Sequence, residues 1–177
     1  MTGRAGLWLS SVVSLAALSL AAVMGAAAAT SGGPRVVLPP AAARADYQLG
    51  GAYPPPAGTR IVERDRSARP AAHAYGICYL NGYQTQPQEN RWWKVMHPSL
   101  LLHDNAGRTV EDPGWPGELL LDTSTSAKRA SIAKVEYSWV DGCARFGFSA
   151  IEADNLDSWT RSRGLLRPDG NVALARL

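Results

Sequence analysis

Charge, histidine and cysteine are all scarce in this chain of 177 residues, and the shortages exclude several classes of function. Charged residues make up 19% of the sequence, and the formal net charge is only +3. Nucleic-acid binding needs a concentrated basic surface, whereas the arginines of segment 60–69 are interleaved with Glu63 and Asp65. The composition therefore predicts that nucleic acid is not a partner.

Motifs for metal binding and for nucleophilic catalysis are also missing. His73, His97 and His103 have neither the helical spacing nor the neighbouring cysteines that zinc sites use. The sequence contains no glycine-rich phosphate loop and no serine in a Gly-x-Ser-x-Gly setting. We therefore predict a protein without a metal or a cofactor, and a serine hydrolase has no support.

The N-terminus carries one long apolar run. Arg4 is the only charged residue before Arg35, and residues 7–29 are all apolar or small. This is the layout of a secretory signal peptide, which has a basic residue, then an apolar stretch and then small residues at the cleavage site. A transmembrane anchor is the alternative, since about 20 apolar residues can span a membrane, but no basic cluster follows directly. We expect residues 1–29 to be cleaved and the remaining protein to be secreted, without stable membrane association.

After the leader, the pattern predicts a tether and one α/β domain. Residues 30–45 are rich in proline and alanine and predict a linker, and 46–177 form the domain. Strands are expected at 46–49, 60–65, 75–81 and 149–154. A helix is expected from about Ser126 to Phe146, ended by Gly147, and another from Pro168. A helix followed closely by a strand favours a parallel sheet.

Two further features of the long helix and the sheet follow from spacing. The helix has small and apolar residues at three- and four-residue intervals, which predicts a buried face made of Ala130, Ala133, Tyr137, Val140 and Ala144. Each strand ends in a pair of polar residues that share a face. The pairs are Asp46 with Gln48, Glu63 with Asp65, Tyr79 with Asn81, and Glu152 with Asp154. Parallel α/β sheets carry active sites at this edge, although solvation of the strand ends alone remains an alternative.

Three blocks of the domain, 46–51, 77–79 and 152–157, resemble glycoside hydrolase family 114. Members of that family are secreted endo-α-1,4-polygalactosaminidases with a TIM-barrel fold. The resemblance covers residues 46–177 and departs at Ala153, where the family has proline. It implies a (β/α)8 barrel, of which this chain supplies about the first half, so the fold is expected to be a truncated α/β barrel.

The resemblance also implies hydrolysis by two carboxyl groups that flank the glycosidic bond. Asp154 matches the family's acidic position and is predicted to be one of them, and the family's second carboxylate belongs to a strand after Leu177. Glu152 is predicted to orient Asp154 or to raise its pKa. A catalytic pair formed by Glu152 and Asp154 alone is the alternative.

Substrate contacts are predicted for nine further residues. Acidic residues are expected to bind the ammonium groups of the sugar, and aromatic residues its flat faces. The predicted residues are Asp65, Glu63, Asp122, Asp157, Tyr79, Trp159, Gln48, Asn81 and Asn155. Packing is the alternative for Trp159, and loop stabilisation is the alternative for Asn155 and Asp157.

Only two cysteines are present. If Tyr79 and Asn81 face the barrel interior, Cys78 points to the helix layer, near the end of the helix that carries Cys143. In an oxidising compartment this favours a disulfide, and two separate buried thiols are the alternative.

The leading hypothesis is a secreted glycoside hydrolase that is endo-acting on α-1,4-linked galactosamine polysaccharide. This hypothesis gives the protein a role in carbohydrate metabolism, with the polysaccharide as its partner. A carbohydrate-binding pseudo-enzyme and a truncated, inactive fragment are the two alternatives.

Overall fold

The computed structural model describes residues 36–177. The predicted signal peptide and the start of the predicted linker lie outside the described residues. In that part of the chain, no helix combines the length and the apolar character needed to cross a membrane.

A parallel sheet of four strands organises the fold. The strands are β1 (Arg44–Gln48), β2 (Thr59–Asp65), β3 (Tyr75–Asn81) and β4 (Ala150–Asp154). They lie side by side in chain order, and every neighbouring pair is parallel. All four expected strands are present, although β1 begins two residues inside the predicted linker. The α/β class with a parallel sheet is therefore confirmed.

Within residues 36–177, three α-helices accompany the sheet. They are α1 (Asn90–Met96), α2 (Ser126–Phe146) and α3 (Pro168–Leu174). At the start of α2, the Thr125 side chain accepts a hydrogen bond from the Lys128 amide at 3.2 Å. At its end, Gly147 has a φ of 91°, a left-handed conformation that favours glycine. Both ends of α2 therefore lie where the sequence predicts them.

The buried face of α2 differs from the predicted one. Ile132, Ala133 and Cys143 are buried, and Trp139 packs against them, whereas Tyr137 is 51% exposed. The exposed set also contains Ala130 and Ala144. Alanine is small and suits either face, so the larger Ile132 and Trp139 decide which side is buried. The expected face was therefore wrong except at Ala133 and the half-buried Val140.

A leucine-rich segment between α1 and α2 builds much of the core. Leu119, Leu120 and Leu121 are almost fully buried and form isolated antiparallel bridges with neighbouring loops. The Leu120 amide donates to the Val110 carbonyl at 2.9 Å, and the Leu102 amide donates to the Leu120 carbonyl at 2.8 Å. These bonds fix the loop that precedes Leu119, and that loop reaches the edge of the sheet formed by the C-terminal ends of the strands.

Cys78 and Cys143 are joined by a disulfide, with their Cα atoms 6.1 Å apart. Cys78 lies on the outer face of β3, and Leu80, Trp139, Val140 and Phe148 surround the bridge. The bond ties the C-terminal part of α2 to the strand that carries Tyr79 and Asn81.

Candidate functional site

The sheet register gathers polar side chains on one face at the C-terminal ends of the strands. Asp65 of β2 stands opposite Tyr79 of β3, and Tyr79 stands opposite Glu152 of β4. One pair further along, Asn81 stands opposite Asp154. Residues that are paired in neighbouring strands point to the same face. Three of the four predicted pairs therefore lie together on one face.

The β1 pair departs from this arrangement. Gln48 is in register with Arg64 and Cys78, which belong to the opposite face of the sheet. Its Oε1 accepts hydrogen bonds from Arg64 Nε at 2.8 Å and from the Tyr53 amide at 3.2 Å. Gln48 and its partner Asp46 therefore do not share the face of the other three pairs, although Gln48 still lines the cleft described below. Tyr47 takes the place predicted for them, because it is the β1 residue in register with Glu63.

A cleft of about 610 Å³ opens above these strand ends. Three carboxylates line it, those of Asp65, Glu118 and Asp154, and its amides include Asn81 and Asn155. No lysine, arginine or histidine is among the lining residues in the described range 36–177. The cleft is thus an acidic site without a neutralising basic group.

Asp154 is held by two donors at the mouth of the cleft. The Tyr79 hydroxyl donates to Asp154 Oδ2 at 2.8 Å, and the Asn155 amide donates to Asp154 Oδ1 at 2.7 Å. Burial, and then the hydrogen bond with Asp154, raise the pKa of Tyr79, which keeps the phenol protonated as a donor. Asp154 is therefore a fixed carboxylate that faces the cleft.

Asn155 follows Asp154 in an unusual backbone conformation. Its φ is 66°, in the left-handed region that asparagine tolerates better than most residues. The Asn155 side chain donates to Asn81 Oδ1 at 2.9 Å and accepts from Arg161 Nη2 at 2.9 Å. Arg161 in turn pairs with the buried Asp112. This network fixes the amide that holds Asp154.

A second layer of carboxyl groups lies below Asp154. Burial first, and then a hydrogen bond with Glu152 and the charges of Glu152 and Asp154, raise the pKa of Glu63 to about 8. Burial and the same three carboxylates raise the pKa of Tyr47 to about 12. The pair of Glu63 and Glu152 therefore retains one proton at neutral pH, which lets the two carboxyl groups lie side by side.

This protonation predicts that the protein loses stability as the pH rises. Between pH 4.5 and about 8 the folded chain retains a proton on Glu63 that the unfolded chain has released. Stability falls with pH wherever the folded state binds more protons. Replacing the acid in Glu63→Gln removes this contribution, on the order of 2 kcal/mol. Urea unfolding at pH 5 and pH 9 measures the difference.

Glu136 on α2 provides the control for that measurement. Burial raises its pKa to about 8 as well, so Glu136→Gln is expected to remove a separate part of the pH dependence. A Glu63→Gln variant that loses as much stability between pH 5 and pH 9 as the wild type would contradict the assignment.

Three predicted substrate contacts lie away from the cleft. Asp122 is 8% exposed and pairs with Lys128 at the start of α2. Asp157 is an exposed partner of Arg161, with 3.0 Å between Asp157 Oδ2 and Arg161 Nη1. Trp159 packs against the core cluster of Leu120 and its neighbours. For these residues, local pairing and apolar packing determine the position.

The structure adds cleft residues that the strand pattern does not reveal. Glu118, Trp115 and Gln86 come from loops, and Tyr47 comes from the corrected face of β1. Gln86 Nε2 donates to Asp65 Oδ2 at 2.6 Å, which holds that carboxylate at the rim. Glu118 directly precedes the apolar run 119–121, and a carboxylate at the end of a buried segment is the signal that could have identified it. Within residues 36–177, no group of three or more His, Cys, Asp or Glu is placed to hold a metal ion.

A parallel α/β sheet with carboxylates at the carboxyl ends of its strands is the arrangement of enzymes that act at this edge. The sequence profile of Glycoside-hydrolase family GH114 matches residues 25–177. This chain belongs to Glycoside-hydrolase family GH114.

Two solved structures are similar to this chain, and the first of them shares its fold. Ega3 of Aspergillus fumigatus, crystallised in complex with galactosamine, is 19% identical with a TM-score of 0.56, and the match covers 75% of this chain and 52% of Ega3. The glycoside hydrolase domain of PelA from Pseudomonas aeruginosa is 16% identical with a TM-score of 0.49, and the match covers 75% of this chain and 55% of that domain. The chain thus spans about half the length of these structures. A comparison with curated proteins gave no match.

Proposed function

We propose that this chain belongs to a secreted endo-glycosidase with a (β/α)8 barrel that cleaves α-1,4-linked galactosamine polysaccharide. The acidic cleft carries the proposal: Asp65, Glu118 and Asp154 line it, and no basic residue of the described chain does. Galactosamine with free amino groups is cationic at neutral pH, so it matches this charge. Membership of the family and the galactosamine in the Ega3 crystal support the same substrate class.

In this proposal Asp154 is one of the two carboxyl groups that glycoside hydrolysis needs. Its place in the cleft and its two fixed hydrogen bonds support that role. Glu152 lies one register pair deeper, beside Glu63, which supports a positioning role instead of substrate contact. The resemblance to the family assigns the second carboxyl group to a later strand of the barrel.

Export to an oxidising compartment is the second part of the proposal. The apolar run at 7–29 supports a cleaved leader. The disulfide between Cys78 and Cys143 supports the same compartment, since such bonds persist mainly outside the cytosol.

The test incubates a defined α-1,4-galactosamine oligomer with a protein in which this chain is extended through a complete barrel, so that both carboxyl groups are present. Oligomer length is followed by mass spectrometry, and shorter oligomers from internal cuts are the expected result. Oligomer bound without shortening would identify a carbohydrate-binding pseudo-enzyme and contradict hydrolysis. Cleavage by the extended protein but not by the 177 residues alone would identify the latter as an inactive fragment.

Tyr79 is expected to position Asp154, not to bind the sugar by itself. Tyr79→Phe removes the hydroxyl that donates to Asp154 Oδ2 at 2.8 Å and leaves the ring in place. A hydrogen bond to a charged group contributes about 1.5–3 kcal/mol, so kcat should fall about tenfold or more. KM should change little, and steady-state kinetics on the oligomer separates the two constants.

Tyr53→Phe is the matched control for this variant. The Tyr53 hydroxyl also donates to a carboxylate, that of Asp46, but both residues lie outside the cleft lining. We expect its kcat to equal that of the wild type. A Tyr79→Phe variant with normal kcat and a raised KM would show that the hydroxyl binds substrate instead.

A further inference from the structure

Glu118 is held at the cleft by a short, closed loop. The Asp112 amide donates to the Glu118 carbonyl at 2.8 Å, and the Glu118 amide donates to the Trp115 carbonyl at 3.0 Å. Gly117 has a φ of 91°, the left-handed conformation that this tight loop requires. Because Leu119 behind it is buried in the core, the Glu118 backbone has a fixed position at the rim.

The Glu118 carboxylate is oriented by two amides. Asn81 Nδ2 donates to Glu118 Oε2 at 2.8 Å, and Gln84 Nε2 donates to the same oxygen. Among the described residues the second oxygen, Oε1, accepts no hydrogen bond, and Glu118 takes part in none of the ion pairs. Glu118 thus presents one free, pre-oriented carboxylate oxygen beside the cleft.

The surroundings of Glu118 favour a cation that is carried on an apolar ring. The other two carboxylates that line the cleft are those of Asp65 and Asp154. Trp115, from the same loop, lines the cleft and is 60% exposed. An exposed aromatic face suits the apolar side of a sugar ring, and a carboxylate suits its ammonium group.

We propose that Glu118 determines specificity for the free amino group of the sugar, a role that rests on the function proposed above. Glu118 Oε1 accepts a hydrogen bond from the ammonium group while Trp115 contacts the ring. An N-acetylated sugar is neutral at this position, so it forms neither the ion pair nor the charge-assisted hydrogen bond. Glu118 is a binding residue that selects the deacetylated polymer.

Isothermal titration of the full chain with two oligomers of equal length tests the proposal. One is α-1,4-linked galactosamine, and the other is its fully N-acetylated form. Glu118→Gln retains an oxygen for Asn81 and Gln84 but removes the charge. We expect it to weaken binding of the free-amine oligomer about tenfold and to change binding of the acetylated oligomer less than twofold. The wild-type preference should also shrink as salt is raised.

Two variants control for charge and for folding. Asp141→Asn makes the same change in net charge on the exposed side of α2, and its affinities should equal those of the wild type. Glu118→Asp keeps the charge and should keep a preference for the free amine. If Glu118→Gln lowers the midpoint of thermal unfolding, the Glu118→Asp variant is used as the test instead. Loss of its preference for the free-amine oligomer over the acetylated oligomer overturns the proposal.

The outcomes separate this inference from the proposed hydrolysis. Cleavage by the wild type with an unchanged preference in Glu118→Gln overturns the role of Glu118 alone. An equal loss of affinity for both oligomers also overturns it. Selective binding that depends on Glu118, without any cleavage, overturns only the hydrolytic function. Failure of the wild-type chain to bind either oligomer overturns both.

Discussion

Asp154→Asn, introduced into the complete barrel that carries both carboxyl groups, should lower the rate of galactosamine oligomer cleavage about 10³-fold, with little effect on folding. Positioned acid or base groups contribute 10²- to 10⁴-fold to such reactions, and glycoside hydrolysis depends on its two carboxyl groups. The variant keeps the oxygen that accepts from the Asn155 amide, and the new amide nitrogen can donate to the Tyr79 oxygen. Initial rates and oligomer affinity, measured side by side, should show a loss in kcat at nearly constant affinity.

Asp169→Asn is the control for the loss of one acidic charge. Asp169 is highly exposed at the start of α3 and makes only a long contact with Arg167, at 3.9 Å. Its rate should equal the wild-type rate. If Asp154→Asn retains full activity while Glu152→Gln loses it, the catalytic assignment belongs to Glu152.

The position of Glu152 below the cleft gives a reason to expect that Asp154, not Glu152, is the catalytic residue. Glu152 is in register with Tyr79, beneath the pair of Asn81 and Asp154. It contributes to the raised pKa of Glu63, so the two carboxyl groups lie next to each other below the cleft. A group in that layer can act on Asp154 through its charge, whereas Asp154 itself lines the cleft.

The parallel sheet was predictable because each strand is bounded by residues that break regular structure. Gly147 and Thr125 define the ends of α2 in the same local way. The edge that carries Asp154 follows from these boundaries, because parallel strands bring their carboxyl ends together. Local sequence thus accounts for Asp65, Tyr79 and Asp154.

Local sequence could not predict which β1 residues lie on the cleft side of the sheet or which face of α2 is buried. In β1 the residues Asp46, Tyr47 and Gln48 are all partly polar, so a short strand of five residues gives no reliable alternation. Pairing with β2 decides the matter and turns Tyr47 to the side of Glu63. In α2, the alanines do not specify which face is buried, and the packing of Ile132 and Trp139 in the core determines it.

Cleft residues from loops depend on tertiary packing. The segment 112–118 has no periodic pattern, and its position above the cleft is set by the buried leucines that follow it. Packing also positions Trp159, because its partly buried ring contacts the cluster that contains Leu120. Sequence pattern therefore finds the strand-end half of the site and misses the loop-borne half.

Removal of the disulfide is expected to cost about 4 kcal/mol of unfolding free energy in the chain-entropy model. Cys78 and Cys143 are 65 residues apart in sequence, so the bridge closes a long loop of the unfolded chain. The double variant Cys78→Ala, Cys143→Ala avoids placing new polar groups in a region where both cysteines are almost completely buried. Urea unfolding of the variant and of the wild type measures the difference, and reduction of the wild type should produce a similar loss.

The same variant separates a role of the bridge in stability from a role in the site. Cys78 points to the outer face of β3, and its neighbour Tyr79 points to the cleft, so the bridge touches no group that lines the cleft. The folded fraction of the variant should therefore bind the galactosamine oligomer with wild-type affinity, once the affinity is corrected for the unfolded population. A folded variant with weakened binding would show that the bridge also sets the position of Tyr79 and Asn81. If reduction leaves the free energy of unfolding unchanged, the disulfide does not stabilise the fold. A bridge that closes a loop of this length should restrict the unfolded chain, and this effect does not depend on substrate binding.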